Sequence, residues 1–296
     1  MTPLRRTGGP LDPAAVEEVR TLAGRATLAD GVEPLGEQTL LDLTHPDAVH
    51  VAVEDGALVG YGQLGPRHGD ARTVELVVAP DSRRRGIGSA LLDALLAEAR
   101  GARDTGEVGL WAHGSLPAAR DLAHRRGLVP VRELWRMTRE LPGAERQPEQ
   151  EPIPGVRVRA FVPESDEQAW LAANAAAFAH HPDQGGLTGA DLDARMREPW
   201  FDAEDLLLAE DAEGVVGFAW TKVTLPSAEL YVLGVVPRAQ GRGLGGALTR
   251  VALAHLERRG AGRAVLFTDA DNVAAVRTYA AAGFVTDRVD TRYSLP

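Results

Sequence analysis

Two turns in this sequence have the composition of an anion cradle. One reads Gln240-Gly241-Arg242-Gly243-Leu244-Gly245 and runs on into Gly246; the other reads Arg83-Arg84-Arg85-Gly86-Ile87-Gly88. Each follows a short apolar strand-like run and opens a segment with apolar residues at helical spacing. A helix N-terminus presents unpaired N–H groups and the positive end of the helix dipole, and glycine lets the backbone come close to a ligand or adopt positive φ. Such a turn offers to bind phosphate or pyrophosphate. A glycine-lined turn without a ligand would look the same in one copy; matched spacing in two copies favours the ligand.

The elements around the turns are also duplicated. Placing Arg83 on Gln240 lays VVAPDSRRRGIGSALL over GVVPRAQGRGLGGALT, with Pro80 on Pro237, Gly86 on Gly243 and Gly88 on Gly245. Upstream, VHVAVEDGALVGYGQLG and LLLAEDAEGVVGFAWTKV each read as a hairpin turning at Asp-Gly or Glu-Gly. Downstream, SLPAARDLAHRRGLVPVREL matches DNVAAVRTYAAAGFVTDRVD, and the stretch from Leu141 to Gly155 has the Pro, Glu and Gln content of a linker. The expected organisation is two copies of one mixed α/β (α+β) domain, 1–142 and 154–296, joined by a linker at 143–153.

Composition bounds the function. The formal net charge of −10 argues against nucleic acid or an anionic membrane as the main partner. Without cysteine there is no disulfide, thiolate metal site or cysteine nucleophile. No apolar run approaches the roughly 18 residues of a membrane span, and MTPLRRTGGPLDP lacks the apolar core of a signal peptide. The default expectation is a cytoplasmic protein. Lys222 is the only lysine in an arginine-rich chain, which singles it out.

A P-loop would need Gly-Lys-Ser/Thr, and Lys222 is elsewhere. A dinucleotide fold would need Gly-x-Gly-x-x-Gly directly off a first strand, and a kinase loop lies between strands. The pattern instead resembles the acyl-CoA signature of the GCN5-related N-acetyltransferases (GNAT), Gln/Arg-x-x-Gly-x-Gly/Ala after a strand. The resemblance covers both halves, and in the second it takes in DNVAAVRTYAAAGF as well. It implies two tandem GNAT domains, with acetyl-CoA as co-substrate and no metal. It also implies a bulged strand before the turn that pairs with the pantetheine arm. Gly234 within YVLGVV is the expected mark of that bulge or of a close backbone approach.

Acetyl transfer to an amine needs a proton acceptor, a polarised carbonyl and a donor to the leaving thiolate. In the second copy Glu229 precedes the strand, Tyr279 lies on the helix after Asn272, and a bulge N–H such as that of Val235 could polarise the carbonyl. Taken singly, Glu229 is equally a solvated strand-end carboxylate and Tyr279 equally a half-buried core tyrosine. In the first copy Arg72, Ser115 and Leu122 occupy the places of Glu229, Asn272 and Tyr279. That half is expected to keep the phosphate turn as a vestigial or regulatory site without chemistry.

The finer pattern is similar to the mycothiol synthase family, through AELYVLGVVPRAQGRGLGGALT, DNVAAVRTYAAAGFVTDRVDTRYSL, GVEPLGEQ, NAAAFAHHPDQGG, WFD and WTKV. This resemblance implies acetylation of the cysteinyl amine of Cys-GlcN-Ins by a monomer. The acetyl-CoA contacts it implies are Leu233, Gly234 and Val235; Gln240, Gly241, Arg242, Gly243, Leu244, Gly245 and Gly246; and Asn272, Val273, Ala274, Ala275, Val276 and Arg277. In the first half they are Leu76, Val77, Val78, Arg83, Arg84, Arg85, Gly86, Ile87 and Gly88. The implied substrate contacts are Glu37, Asp183, Lys222 and Glu229. Phe267 stands where the family tends to have Tyr, and Asp183 where it has Glu, so a hydroxyl contact to the sugar is in doubt. His180 and His181 are adjacent and do not face one site, so they read as part of a solvated loop. The alternatives are a tandem acetyltransferase for another small amine, such as an antibiotic, and a non-catalytic acyl-CoA sensor. Retention of both Glu229 and Tyr279 speaks against the sensor.

Overall fold

A computed structural model of the chain describes residues 3–68, 71–101, 107–142, 154–179 and 184–294. It divides into two compact units, one of residues 1–134 with 289–296 and the other of 135–288. The N-terminal unit runs β1 (Leu4–Gly8), α1 (Pro13–Asp30), α2 (Glu37–Leu41), β2 (Val49–Glu54), β3 (Leu58–His68), β4 (Ala71–Val78), α3 (Ile87–Gly101), β5 (Glu107–Ala112), α4 (Pro117–Arg125) and the start of β6 (Val129–Glu140). The C-terminal unit takes the rest of β6, then β7 (Arg157–Ala160), α5 (Glu167–Ala177), α6 (Gly189–Met196), β8 (Leu206–Asp211), β9 (Gly214–Thr224) and β10 (Ser227–Val235). It continues with α7 (Leu244–Arg258), β11 (Arg263–Asp269), α8 (Val273–Ala281) and the start of β12 (Val285–Ser294).

Each unit is a mixed sheet. β1 to β4 form an antiparallel meander, as do β7 to β10, and the glycine turn and helix then carry the chain to a parallel neighbour, β4 to β5 and β10 to β11. Helix α7 buries Leu244, Leu248, Ala252 and Leu256, one apolar residue every four, and α3 buries Ile87, Leu91, Leu95 and Ala99 in the same rhythm. The repeated Val-Gly of the sequence brings these helices close. A Cβ on Gly60 would lie 2.7 Å from Ile87 Cγ2, and one on Gly217 would lie 2.9 Å from Leu248 Cδ1.

The units do not coincide with the two sequence copies at their ends. The last strand of the N-terminal unit is the far part of β12, where Thr291 pairs with Ala112 and Ser294 with Gly109. The C-terminal unit in turn holds β6 from Trp135, next to β11 in the sheet order. The linker at 143–153 lies outside the described residues. A cut there separates the sequence copies, whereas the compact units take their closing strands from the opposite copy.

Polar groups fasten β12 to the N-terminal unit. Asp290, 1% exposed, accepts from the Gly114 N–H at 2.6 Å and holds His113 Nδ1 at 3.1 Å. The other ring nitrogen meets Glu75 Oε1 at 2.9 Å, while Glu75 Oε2 accepts the Gly36 N–H at 2.7 Å. Burial opposes the charge on His113, but Glu75 and Asp290 outweigh it and hold the imidazolium up at about 10. A group whose pKa is raised on folding stabilises fully below its unfolded value, here 6.5, and loses that contribution as pH rises through the folded value. The thermal stability advantage of the wild type over His113→Gln should therefore be greatest below pH 6.5 and shrink towards pH 10, by at most about 1.4 kcal/mol per pH unit. Melting curves of both proteins across that range check this; a constant difference would show that His113 is not charged in the fold.

Candidate active site

Strand β10 is paired differently along its two edges. On the β9 side the ladder runs from Ser227↔Thr224 to Val235↔Gly217, with one register shift between Leu230 and Val232. Tyr231 is the extra residue of a β-bulge. On the β11 side the ladder stops at Glu229↔Val265. Val236 N–H donates to Val216 O at 3.0 Å, so strand alternation turns the N–H groups of Leu233 and Val235 away from β9 to the side where the β11 ladder has ended.

The bulge is thus not at Gly234, as the sequence suggested. Gly234 sits in regular register opposite Phe218, and a Cβ there would lie 2.6 Å from Phe218 Cζ. Its missing side chain makes room for a ring. In the N-terminal unit β4 has no matching bulge: its ladder with β3 is regular from Leu64↔Val74 to Gly60↔Val78, and the shift there falls in β3, between Leu64 and Arg67.

Both turns are tied to the strand end in the same way. Gln240 Nε2 donates to Val235 O at 2.9 Å and Arg83 Nε to Val78 O at 3.1 Å. Gly243 and Gly86 have φ of +78° and +83°, and Gly243 caps α7 without a side-chain acceptor for the first N–H groups. The surroundings differ. Arg83 is held bidentate by Asp30 at 2.7 Å, Arg85 meets Asp55 at 3.2 Å, and Arg84 adopts φ +61° where the other copy has Gly241. Arg242, the counterpart of Arg85, is exposed and forms no ion pair among the described residues. The second turn thus combines a helix N-terminus that has no side-chain cap with an exposed arginine whose charge also acts on Asp211.

Glu229 lies directly across the β9 ladder from Lys222. Tyr279 is 8% exposed, its ring against Phe284 at 6.0 Å, and burial pushes its hydroxyl up to about 12. It keeps its proton at neutral pH, which suits a donor. The core position is the structural reading of this tyrosine. Asn272 Oδ1 caps α8 through the Ala275 N–H at 3.1 Å, while Asn272, Val273, Ala274 and Arg277 are exposed and Ala275 and Val276 half-buried. In the N-terminal unit the counterpart of Glu229, Arg72, is a clamp whose Nε donates to Gly65 O at 2.7 Å across the β3 irregularity. Ser115 is bound to the Thr291 hydroxyl at 2.5 Å, and Leu122 packs on the core.

Among the other candidates, Glu37 opens α2 in the N-terminal unit. Phe267 is on β11, two residues beyond the partner of Glu229, with the Arg288 guanidinium over its ring at 5.4 Å. Asp183, with His180 and His181, lies outside the described residues. Sequence reasoning missed three residues that the fold gathers beside Glu229 and Lys222. Trp200 packs against Tyr231 at 5.2 Å between centroids, and Arg195, 8% exposed, donates from Nε to the Tyr231 hydroxyl at 2.9 Å. Trp200 lies in the WFD segment and Tyr231 in AELYVLGVV, and Arg195 lies in neither.

The acetyltransferase (GNAT) family model matches residues 16–128 and 172–284. A mycothiol acetyltransferase from Cellulomonas flavigena is 48% identical over an alignment covering 100% of this chain and 90% of the relative. One from Kytococcus sedentarius is 48% identical over 97% and 96% of the two chains. The chain belongs to the GNAT mycothiol acetyltransferases. The crystal structure of a GCN5-related N-acetyltransferase from Sphaerobacter thermophilus superimposes with a TM-score of 0.72 at 25% identity, covering 99% of this chain and 96% of the other. The protein is an acyltransferase with two tandem GNAT repeats. The two family matches end at Leu128 and Phe284, each directly before a strand that the compact units share out, β6 and β12. No helix among the described residues is long and apolar enough to cross a membrane.

The contact at Gly234 can be tested by itself. Gly234→Ala should destabilise by about 1–3 kcal/mol, the range for an overpacked core site, and Phe218→Leu in the same chain should recover part of it. Urea denaturation of the single and double variants measures this, and a neutral Gly234→Ala would show that β10 does not need the ring contact.

Proposed function

We propose that the C-terminal unit transfers the acetyl group of acetyl-CoA to the cysteinyl amine of Cys-GlcN-Ins, giving mycothiol and CoA, and that the N-terminal unit carries no chemistry. Near-full-length likeness to mycothiol acetyltransferases supports the substrate. The splay recurs in both units, since the β4–β5 ladder stops at Val74 while β4 stays paired with β3 to Val78. The bulge in β10, which β4 lacks, and the presence of Glu229 and Tyr279 where the other copy has Arg72 and Leu122 support the assignment to this half. An amide-bearing pantetheine arm laid along Leu233, Gly234 and Val235 would meet the backbone groups that β11 leaves unmatched. The pyrophosphate would lie on the N–H groups of Leu244, Gly245 and Gly246, with Arg242 beside it and the exposed face of Asn272 to Arg277 nearby in sequence to Tyr279.

In the reaction the neutral amine attacks the thioester carbonyl carbon. Glu229 accepts the proton the nitrogen loses, directly or through one water. The outward N–H groups of Leu233 or Val235 would stabilise the oxyanion of the tetrahedral intermediate. As that intermediate collapses, the C–S bond breaks, the Tyr279 hydroxyl protonates the departing thiolate, and the amide and free CoA result. Lys222, with its three donors, would hold hydroxyls of the acceptor.

Glu229→Gln should lower kcat/KM by about 10²-fold or more, the scale of a general base, and change the acidic limb of its pH profile. A near-normal rate with an unchanged profile would remove Glu229 from the mechanism. The two turns can be compared directly. Gly243→Asp puts a negative charge at the helix N-terminus, opposing both dipole and phosphate, and should bring turnover to background in a folded protein. Gly86→Asp should leave most of kcat intact. Steady-state rates and calorimetric titration with acetyl-CoA decide; the reverse pattern would mean that the N-terminal unit is the active one.

A further inference from the structure

Lys222 is the only lysine in a chain with 32 Lys and Arg residues, and it is not placed as an ordinary surface cation. Its Nζ lies 4.6 Å from the centroid of Trp200 and 5.8 Å from that of Tyr231. The two rings meet edge to face at 5.2 Å, and each packs on Trp220, which is fully buried. The rings therefore form a corner with a rigid floor. Tyr231 is the bulged residue of β10, so its ring direction follows from the bulge. Its hydroxyl is fixed by Arg195 Nε at 2.9 Å, and Arg195 is fixed in turn by Asp191 O at 3.0 Å through Nη1. The phenol already serves one cation, and its ring is the more distant of the two. Trp200 is the main face for the ammonium.

We infer that Trp200, braced by Tyr231 and Arg195, is a positioning residue that seats the Lys222 ammonium for the acceptor substrate. A lysine stem has four rotatable carbons and would lose that freedom on binding. An ammonium attracted to an indole face loses it beforehand. An arginine would stack flat on the same rings and present a planar fork, so the compact charge of lysine is part of the device. The inference deepens the proposed function and rests on it for the identity of the acceptor, whereas the seat itself can be observed without any substrate.

Lysine-selective ¹³C labelling gives one side-chain reporter, because the chain has one lysine. In the wild type the Lys222 ε-CH₂ proton resonance should be displaced upfield by the indole ring, and Trp200→Leu should return it to its ordinary position. An undisplaced wild-type resonance would overturn the seat. The functional half is a double-mutant cycle with Cys-GlcN-Ins and acetyl-CoA. Trp200→Leu should raise the acceptor KM about fivefold, the scale of a cation–π contact, leave the acetyl-CoA KM near its wild-type value, and have little further effect in a Lys222→Met background. Trp200→Phe, which keeps a ring face, should recover much of the loss. Equal effects of Trp200→Leu with and without Lys222, or a loss confined to melting temperature and kcat, would overturn the positioning role. If the wild type does not acetylate Cys-GlcN-Ins, the substrate reading falls, and the resonance still decides whether the seat exists.

Discussion

In the C-terminal unit one strand has an edge that its neighbour abandons. β10 is hydrogen-bonded to β11 for three residues, Ser227 to Glu229, and then the parallel ladder stops while the pairing with β9 goes on to Val235. An unmatched row of backbone groups costs free energy unless water or another molecule meets it. The rest of the candidate site is organised around that row. The bulge at Tyr231 sits at its start, Glu229 is the last residue before it, and Gln240 closes its far end through Val235 O. An extended, amide-bearing molecule fits there for the reason a strand would, and the helix of the following turn offers its N-terminus to whatever charge such a molecule carries.

The duplicated half shows how a fold keeps a shape while dropping a chemistry. The strand-end clamp and the positive-φ glycine before the helix recur in both units, with Arg83 in the part of Gln240. The residues at the places of the second copy's candidate groups are taken up by contacts within the unit. Arg72 ties carbonyls across β3, Ser115 is bound to Thr291, and Arg83 and Arg85 are engaged by Asp30 and Asp55. The groups that remain there support the fold, and the buried Glu75–His113–Asp290 cluster has no counterpart in the proposed chemistry.

The duplication, the two turns and their family were legible in the sequence because they are local. Glycine and proline at fixed offsets mark a strand, a turn and a helix without reference to anything distant. The bulge was legible only as a suspicion, and the wrong residue drew it. A bulge is a mismatch between two strands, and the glycine that suggested it answers instead to the Phe218 ring across the ladder. Trp200 and Arg195 were missed because α6 and the segment after it are brought to β10 by packing, with no spacing rule to link them. The division into compact units was hidden for another reason. The segments ending in β6 and β12 resemble each other in sequence, so local pattern is satisfied equally well whichever sheet each one closes.

That division bears on how the protein is made. The N-terminal unit draws its final strand from residues 289–294, with Asp290 arriving to receive His113 and the Gly114 N–H. While the ribosome is still adding the second repeat, β5 has no partner on that side and His113 has only one of its two carboxylates. Such contacts between distant parts of a chain form slowly, and an open strand edge invites pairing with other nascent chains. The half that emerges first is therefore completed last, and the two repeats mature together.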